Sequence, residues 1–380
     1  MRLASAVLYR IRIQFRQPMK HASADRDEAE NLVLRAVAED GVVGWGETIA
    51  REYVTGETTG GTQARWEALP RGFWSQDFSD ADGVQAALDA AGLRNAARCG
   101  IEVALLDLLS RRAGQPLDDY LARAWPDRVA PLHPGPFEYN GTLSLGSWRQ
   151  SLVRLVKGRL IGFRSGKLKL GRDLERDARL VRLARRVLGG MRLRVDANEA
   201  WDVEHAAAMA PVLKSCGIGD VEQPLPKTRG GELRELQRRT GLRLVLDESL
   251  CSLEDAQWAL DSGLDVIFSL KLAKLGGFGA ALRVAALARE RGVPIQIGCQ
   301  VGESAILSAA GRRLAAVCPN LRDIEGSFDR FLLRDNVIEA DISFGWRGRA
   351  PRLRGTGLGI DVDPRRVARL AVDTRELFRA

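Results

Sequence analysis

The sequence predicts a (β/α)8 barrel joined to an α+β capping domain formed by the N-terminal region and the C-terminal tail. Three observations point there. Residues 1–60 alternate apolar and polar positions in long runs, the period-two pattern of antiparallel strands. From about residue 140 the texture changes to short apolar strands separated by amphipathic helices, the βα repeat of a parallel sheet. Along that repeat, charged residues recur at strand ends. Lys169 to Asp196 is 27 positions, Asp196 to Glu222 is 26, Glu222 to Asp247 is 25 and Asp247 to Lys271 is 24. A closed barrel draws its functional residues from the C-terminal ends of several strands. A doubly wound sheet is the alternative, but it rarely puts charge at five consecutive strand ends.

In chain order, "ASAVLYRIRIQF" and "ENLVLRAVAED" read as strands, and a turn leads into "GVVGWGET". Arg10 and Arg12 interrupt the first run before a signal-peptide core can form. Residues 84–123 read as helices, and "AARCGIEVALLDLLSRRAG" stops at Gly114 ahead of Pro116. The Pro-rich stretch 130–141 reads as a linker. Barrel strands are expected in "FRSGKLKL", "RLRVDAN", "GDVEQP", "LRLVLDES", "DVIFSLKL", "VPIQIG" and "NLRDIEG". The expected divisions are 1–130 for the capping domain, 131–335 for the barrel and 336–380 for the returning segment.

Composition narrows the classes. No run of about 18 apolar residues exists, so no membrane span is expected. Five scattered cysteines without a CxxC argue against a disulfide framework or zinc site and for a reducing cytoplasm. The net charge of +8 comes from arginines interleaved with acids along helices, so no nucleic-acid partner is expected; it also suits an anionic small molecule. The glycine run 355–359 follows no strand–helix unit and fails as a dinucleotide fingerprint.

Successive strand ends surround one cavity. Asp196, Glu222 and Asp247 would converge there and repel, which a hard divalent cation with oxygen ligands resolves. Asp196 taken alone could equally cap the following helix. Lys169 and Lys271 fall on the second and sixth strands, opposite each other across the mouth. Lys167 shares a face with Lys169, since side chains at i and i+2 point the same way. Its charge and the cation's are expected to lower the Lys169 pKa toward that of a base. A carboxylate held between two such lysines can lose and regain the proton on its α-carbon, while cation and Lys167 stabilise the enediolate.

The sequence resembles the enolase superfamily, in its muconate lactonizing enzyme-like subgroup within the mandelate racemase/muconate lactonizing enzyme family. The resemblance spans essentially the whole chain. It rests on "KLKLG" (167–171), "RVDANEAW" (194–201), "VEQPLP" (221–226), "LDES" (246–249) and "LKLAKLGG" (270–277), with "GVVGWGE" (41–47) and "GIEVALLDLLSRRAGQPL" (100–117) in the capping domain. It implies Asp196, Glu222 and Asp247 as ligands of Mg²⁺, with Mn²⁺ as a substitute. It implies Lys169 as one acid/base with Lys167 as its electrostatic partner, Lys271 as the opposite acid/base, and Asn198 and Glu248 as neighbours of the metal. Lys274, beyond the strand, is read as structural. The mandelate racemase-like branch uses a late-strand histidine; His21, His133 and His205 lie elsewhere. The implied activity is a metal-dependent racemase or epimerase of a dipeptide or N-acyl amino acid in a homo-oligomer. A muconate-type cycloisomerase or an o-succinylbenzoate synthase-like dehydratase is the alternative.

Specificity residues are harder to assign. Asp323 and Glu325 in "RDIEGSFD" share a face. Either they hold a substrate ammonium, as an Asp-x-Asp does in dipeptide epimerases, or they pair with Arg322 or Arg330. Glu303 either lines the site or caps the helix starting near Ser304. Lys20, Arg26, Arg51 and Tyr53 lie in the loops 17–26 and 50–61, which are expected to close over the substrate.

Overall fold

The computed structural model describes residues 1–20, 25–144, 147–171 and 173–380. The capping sheet is antiparallel, in the order Ala371–Arg379, Leu3–Lys20, Asp25–Ala38, Val43–Thr48. The C-terminal tail thus supplies its edge strand. Ile11, Ile13 and Phe15 are buried while Arg12 and Gln14 face out, the alternation of a half-buried strand. The helix Asn95–Arg112 covers the inner face and is buried continuously from Ala96 to Ser110. The glycines of "GVVGWGE" explain how closely it lies. A Cβ on Gly44 or Gly46 would collide with the backbone of this helix at Ala104 and Gly100.

Eight parallel strands follow in sequential neighbour order: Gly141–Ser144, Ser165–Lys169, Arg192–Asp196, Asp220–Glu222, Arg243–Leu246, Val266–Leu270, Ile295–Ile297 and Leu321–Ile324. The ends of the sheet meet where Tyr139 bridges Ile324 and the Asn140 N–H donates to the Ile324 carbonyl at 2.9 Å. The sequence does not locate the first of the eight expected strands, because its polar segment "GTLS" lacks the apolar run that marks the others. Helices follow the strands, several of them capped by their own side chains: Ser147, Asp173, Asp202, Ser252 and Ser304 each accept a backbone N–H of the first turn. Asp202 therefore caps the helix after the third strand, and Asp196 is left for the cavity. Among the described residues, no helix is long and apolar enough to cross a membrane. All five cysteines are free. The glycine run near the C-terminus is a packing turn: the Leu358 N–H donates to Asp107 at 2.7 Å and the Arg313 Nε to the Leu358 carbonyl at 3.1 Å.

The two units are locked by Glu47, at the end of "GVVGWGE". Its buried carboxyl accepts from the Ser304 N–H at 2.9 Å, the Ser304 hydroxyl at 2.7 Å and the Leu307 N–H at 2.9 Å. Burial raises this carboxyl from 4.5 to about 7, against the pull of those donors. A folded-state pKa above the unfolded one means that folding binds a proton, so its stabilisation is complete below about pH 4.5 and lost as pH rises through 7. The stability advantage of wild type over Glu47→Gln should shrink by roughly 3 kcal/mol between pH 4.5 and 8. Urea unfolding at the two pH values checks this, and a pH-independent difference would contradict it.

Candidate active site

The strand ends open into a cavity of about 240 Å³, toward the small end of ligand sites. Lys167, Lys169, Asp196, Asn198, Asp247, Glu248, Lys271, Glu303, Glu325 and Tyr53 all line it. The period-two geometry of the strands aims Lys167 and Lys169, and also Arg194 and Asp196, into the barrel. Lys167 sits deepest. Its ammonium contacts Glu222 and Glu325 at 2.9 Å each and Asp196 at 3.2 Å. Lys169 donates to Asn198 Oδ1 at 2.8 Å and stands 3.6 Å from Asp196. On the opposite wall, Lys271 donates to Asp247 Oδ2 at 2.5 Å. Lys274 is fully buried and donates to the Asp247 carbonyl at 2.6 Å, Asp247 Oδ1 at 3.0 Å and the Ser269 carbonyl at 2.8 Å. It braces Asp247 from behind and does not line the cavity.

The electrostatics fix the charge state of Lys167. Burial favours the neutral amine at Lys167, but Glu222, Glu325 and Asp196 outweigh it and raise the pKa well above the ordinary lysine value. Lys167 is thus a fixed positive charge, held by three carboxylates. At Lys271 burial again acts downward, and Asp247 and Glu248 win, raising it. Burial and the charges of Asp247 and Asp196 push Glu248 up to about 8.

The acidic pair on the eighth strand divides. Glu325 reaches the cavity and is paired to Lys167 and Arg194. Asp323 does not line the cavity; it accepts from Asn140 Nδ2 at 3.0 Å and is paired to Arg192. The arginine-pairing reading is therefore the better one for Asp323. Its main partner is Arg192, with Arg322 at 3.6 Å, while Arg330 bonds Asp341. Glu303 lines the cavity and does not cap the helix: its Oε1 accepts the Gln300 N–H at 2.6 Å, and burial pushes it up to about 8. Arg26 lies outside the cavity, with its guanidinium 5.8 Å from the centre of the Tyr53 ring. Arg51 turns away to the Val301 carbonyl, at 2.6 Å. Residues 21–24 of the loop 17–26, and the side chain of Lys20, lie outside the described residues.

Arg194 was missed. It is buried, bonds Glu222 Oε2 at 3.2 Å and pairs with Glu325. The i, i+2 spacing from Arg194 to Asp196 carried the signal. Gln296 completes this polar layer, 3.3 Å from Glu222 Oε2.

The donor set suits a hard divalent cation. Asp196 and Asp247 present carboxylate oxygens to the cavity. Glu222 lies at the strand end between them behind the cavity lining, bonded to Lys167, Arg194 and Gln296. Among the described residues Glu248 Oε2 is buried without a partner. A buried carboxylate oxygen with no donor is costly unless a cation or water meets it. Among the described residues no three such groups stand preassembled as a cage; the ammonium groups of Lys167, Lys271 and Lys274 bond oxygens of Glu222 and Asp247.

Residues 4–122 match the mandelate racemase/muconate lactonizing enzyme N-terminal domain, and residues 151–366 match the enolase C-terminal domain-like family. The chain is 31% identical over 348 residues to the L-Lys-D/L-Arg epimerase of Methylococcus capsulatus, covering 90% of this chain and 94% of that one. It is 31% identical over 372 residues to the hydrophobic dipeptide epimerase of Citrifermentans bemidjiense, covering 96% and 98%. A solved structure of the dipeptide epimerase from Methylococcus capsulatus, complexed with Mg and the dipeptide L-Arg-D-Lys, superimposes with a TM-score of 0.83 at 27% identity, covering 96% of this chain and 100% of that one. Fold, matched families and relatives agree: this chain is an isomerase-class enzyme and belongs to the mandelate racemase/muconate lactonizing enzyme family of the enolase superfamily.

Proposed function

We propose that the protein epimerises a dipeptide, or racemises an N-acyl amino acid, by removing and returning the proton on the carbon next to a carboxylate. The observation that carries this is the placement of Lys169 and Lys271 on opposite walls of one cavity, with carboxylates at the strand ends between them. Asp196, Glu222 and Asp247 would hold Mg²⁺, with Glu248 beside them; Mn²⁺ takes similar oxygen donors. Bound there, the cation supplies Lewis-acid stabilisation of the negative charge that develops on the substrate carboxylate.

The protein's own groups do the rest. Lys167, held protonated, keeps a positive charge at the cavity floor where that charge develops. Lys271 draws its high proton affinity from Asp247 and Glu248, the same carboxylates a cation attracts, so the two compete for those oxygens. A neutral amine on one wall takes the proton, and the ammonium on the other returns one to the opposite face, inverting the carbon. Glu303, Glu325 and Tyr53 line the cavity as candidate contacts to the rest of the substrate. The free cysteines fit a reducing cytoplasm.

The test is a screen of pooled L,L-dipeptides and N-acyl amino acids in D₂O with Mg²⁺, read by mass spectrometry as a one-deuteron gain. A gain that disappears with chelator and returns with Mg²⁺ is expected. No gain in any pool by a protein that binds Mg²⁺ would overturn the epimerase reading and favour a cycloisomerase or dehydratase.

A further inference from the structure

The segment Gln300–Ser304, after the seventh strand, forms part of the cavity wall, and the capping sheet holds it. Asn31, from the second capping strand, donates to the Gly302 carbonyl at 2.9 Å and to Glu47 Oε1 at 2.5 Å. Glu47, from the third, takes both the N–H and the hydroxyl of Ser304. Arg51, just past that strand, donates to the Val301 carbonyl at 2.6 Å. All three side chains are buried. The backbones also meet directly: Gly302 has φ +96°, and a Cβ there would stand 2.6 Å from the Ala29 Cβ. Three capping-domain side chains thus converge on Val301, Gly302 and Ser304, loop residues 250 or more positions away. Between the clamped residues Gly302 and Ser304 sits Glu303, facing the cavity. Among the described residues it has no cation within ion-pair distance.

The bland reading is interdomain adhesion. Adhesion is served elsewhere too, by Asn95 on the Cys251 and Lys274 carbonyls and by Glu102 on the Gly279 N–H, whereas the bonds of Asn31 and Arg51 fall on one short wall of the cavity. The helix beyond that wall is capped by Ser304 and, at the Leu307 N–H, by Glu47, whereas Asn31 and Arg51 bond only the wall itself and not the helix. We infer that Asn31, Glu47 and Arg51 are positioning residues that hold the Gln300–Ser304 wall in register with the capping sheet and so set where Glu303 meets the substrate. The substrate's identity rests on the proposed epimerase chemistry; the clamp does not.

Arg51→Met and Arg51→Lys test this in the full-length protein, with Glu47→Gln as a second site. Hydrogen–deuterium exchange is followed in peptides covering 299–307 and, as the control wall, 192–222. Steady-state kinetics use whichever dipeptide the screen returns. Arg51→Met should speed exchange in 299–307 by about tenfold, leave 192–222 unchanged, and raise KM by about tenfold while kcat stays within about threefold. Arg51→Lys, which keeps a donor, should recover most of both effects. Uniformly faster exchange, or faster local exchange with KM unchanged, would overturn the positioning role and leave adhesion. Should wild type turn over no dipeptide, the epimerase reading fails. The exchange comparison then decides the clamp alone: local, Lys-rescued loosening supports it, and unchanged 299–307 exchange overturns it.

Discussion

Alanine at either Lys169 or Lys271 is expected to lower turnover by about 10²–10⁴-fold, the usual contribution of a positioned acid or base. The two losses should differ in stereochemistry. Each variant keeps one lysine, so each should still exchange the α-proton of only the epimer that presents it to that wall. KM should change little, because neither ammonium is the proposed anchor of the substrate carboxylate. Kinetics of both variants with each purified epimer check this. Equal loss of exchange for both epimers in both variants would contradict a two-wall mechanism.

The second large effect concerns stability. Lys274→Met should cost about 3–5 kcal/mol, the usual penalty for removing one partner of a buried ion pair. Lys274 makes three bonds, two of them to Asp247, and its removal leaves that carboxylate, among the described residues, with Lys271 as its one ion-pair partner. Urea unfolding measures the loss. A change below about 1 kcal/mol, typical of a surface substitution, would show that Lys274 does not hold Asp247 in place.

These residues also show what a sequence can and cannot convey. The strand-end charges were legible because a strand repeats every two residues and a βα unit every two dozen or so. Lys167 with Lys169, and the positions of Asp196, Glu222, Asp247 and Lys271, follow from those two periods. Arg194 obeyed the same rule and was passed over as strand texture. Asp323 and Glu325 do share a face, but their partners are set by which side chains stand across the barrel, and periodicity does not encode that. The protonation of Lys167 depends on three carboxylates brought to it from positions 196, 222 and 325, which no local pattern around Lys167 conveys. The clamp was invisible for the same reason: Asn31 and Gly302 are 271 positions apart.

The most direct test of the central claim is the α-proton itself. A dipeptide identified in the screen is incubated with wild-type protein and Mg²⁺ in D₂O and followed by proton NMR, with both epimers resolved. The account predicts that the α-proton signal decays, that the opposite epimer appears carrying deuterium, and that the starting epimer also gains deuterium as the reaction reverses. Product formed with the original α-proton retained, or conversion without any exchange from solvent, would contradict it.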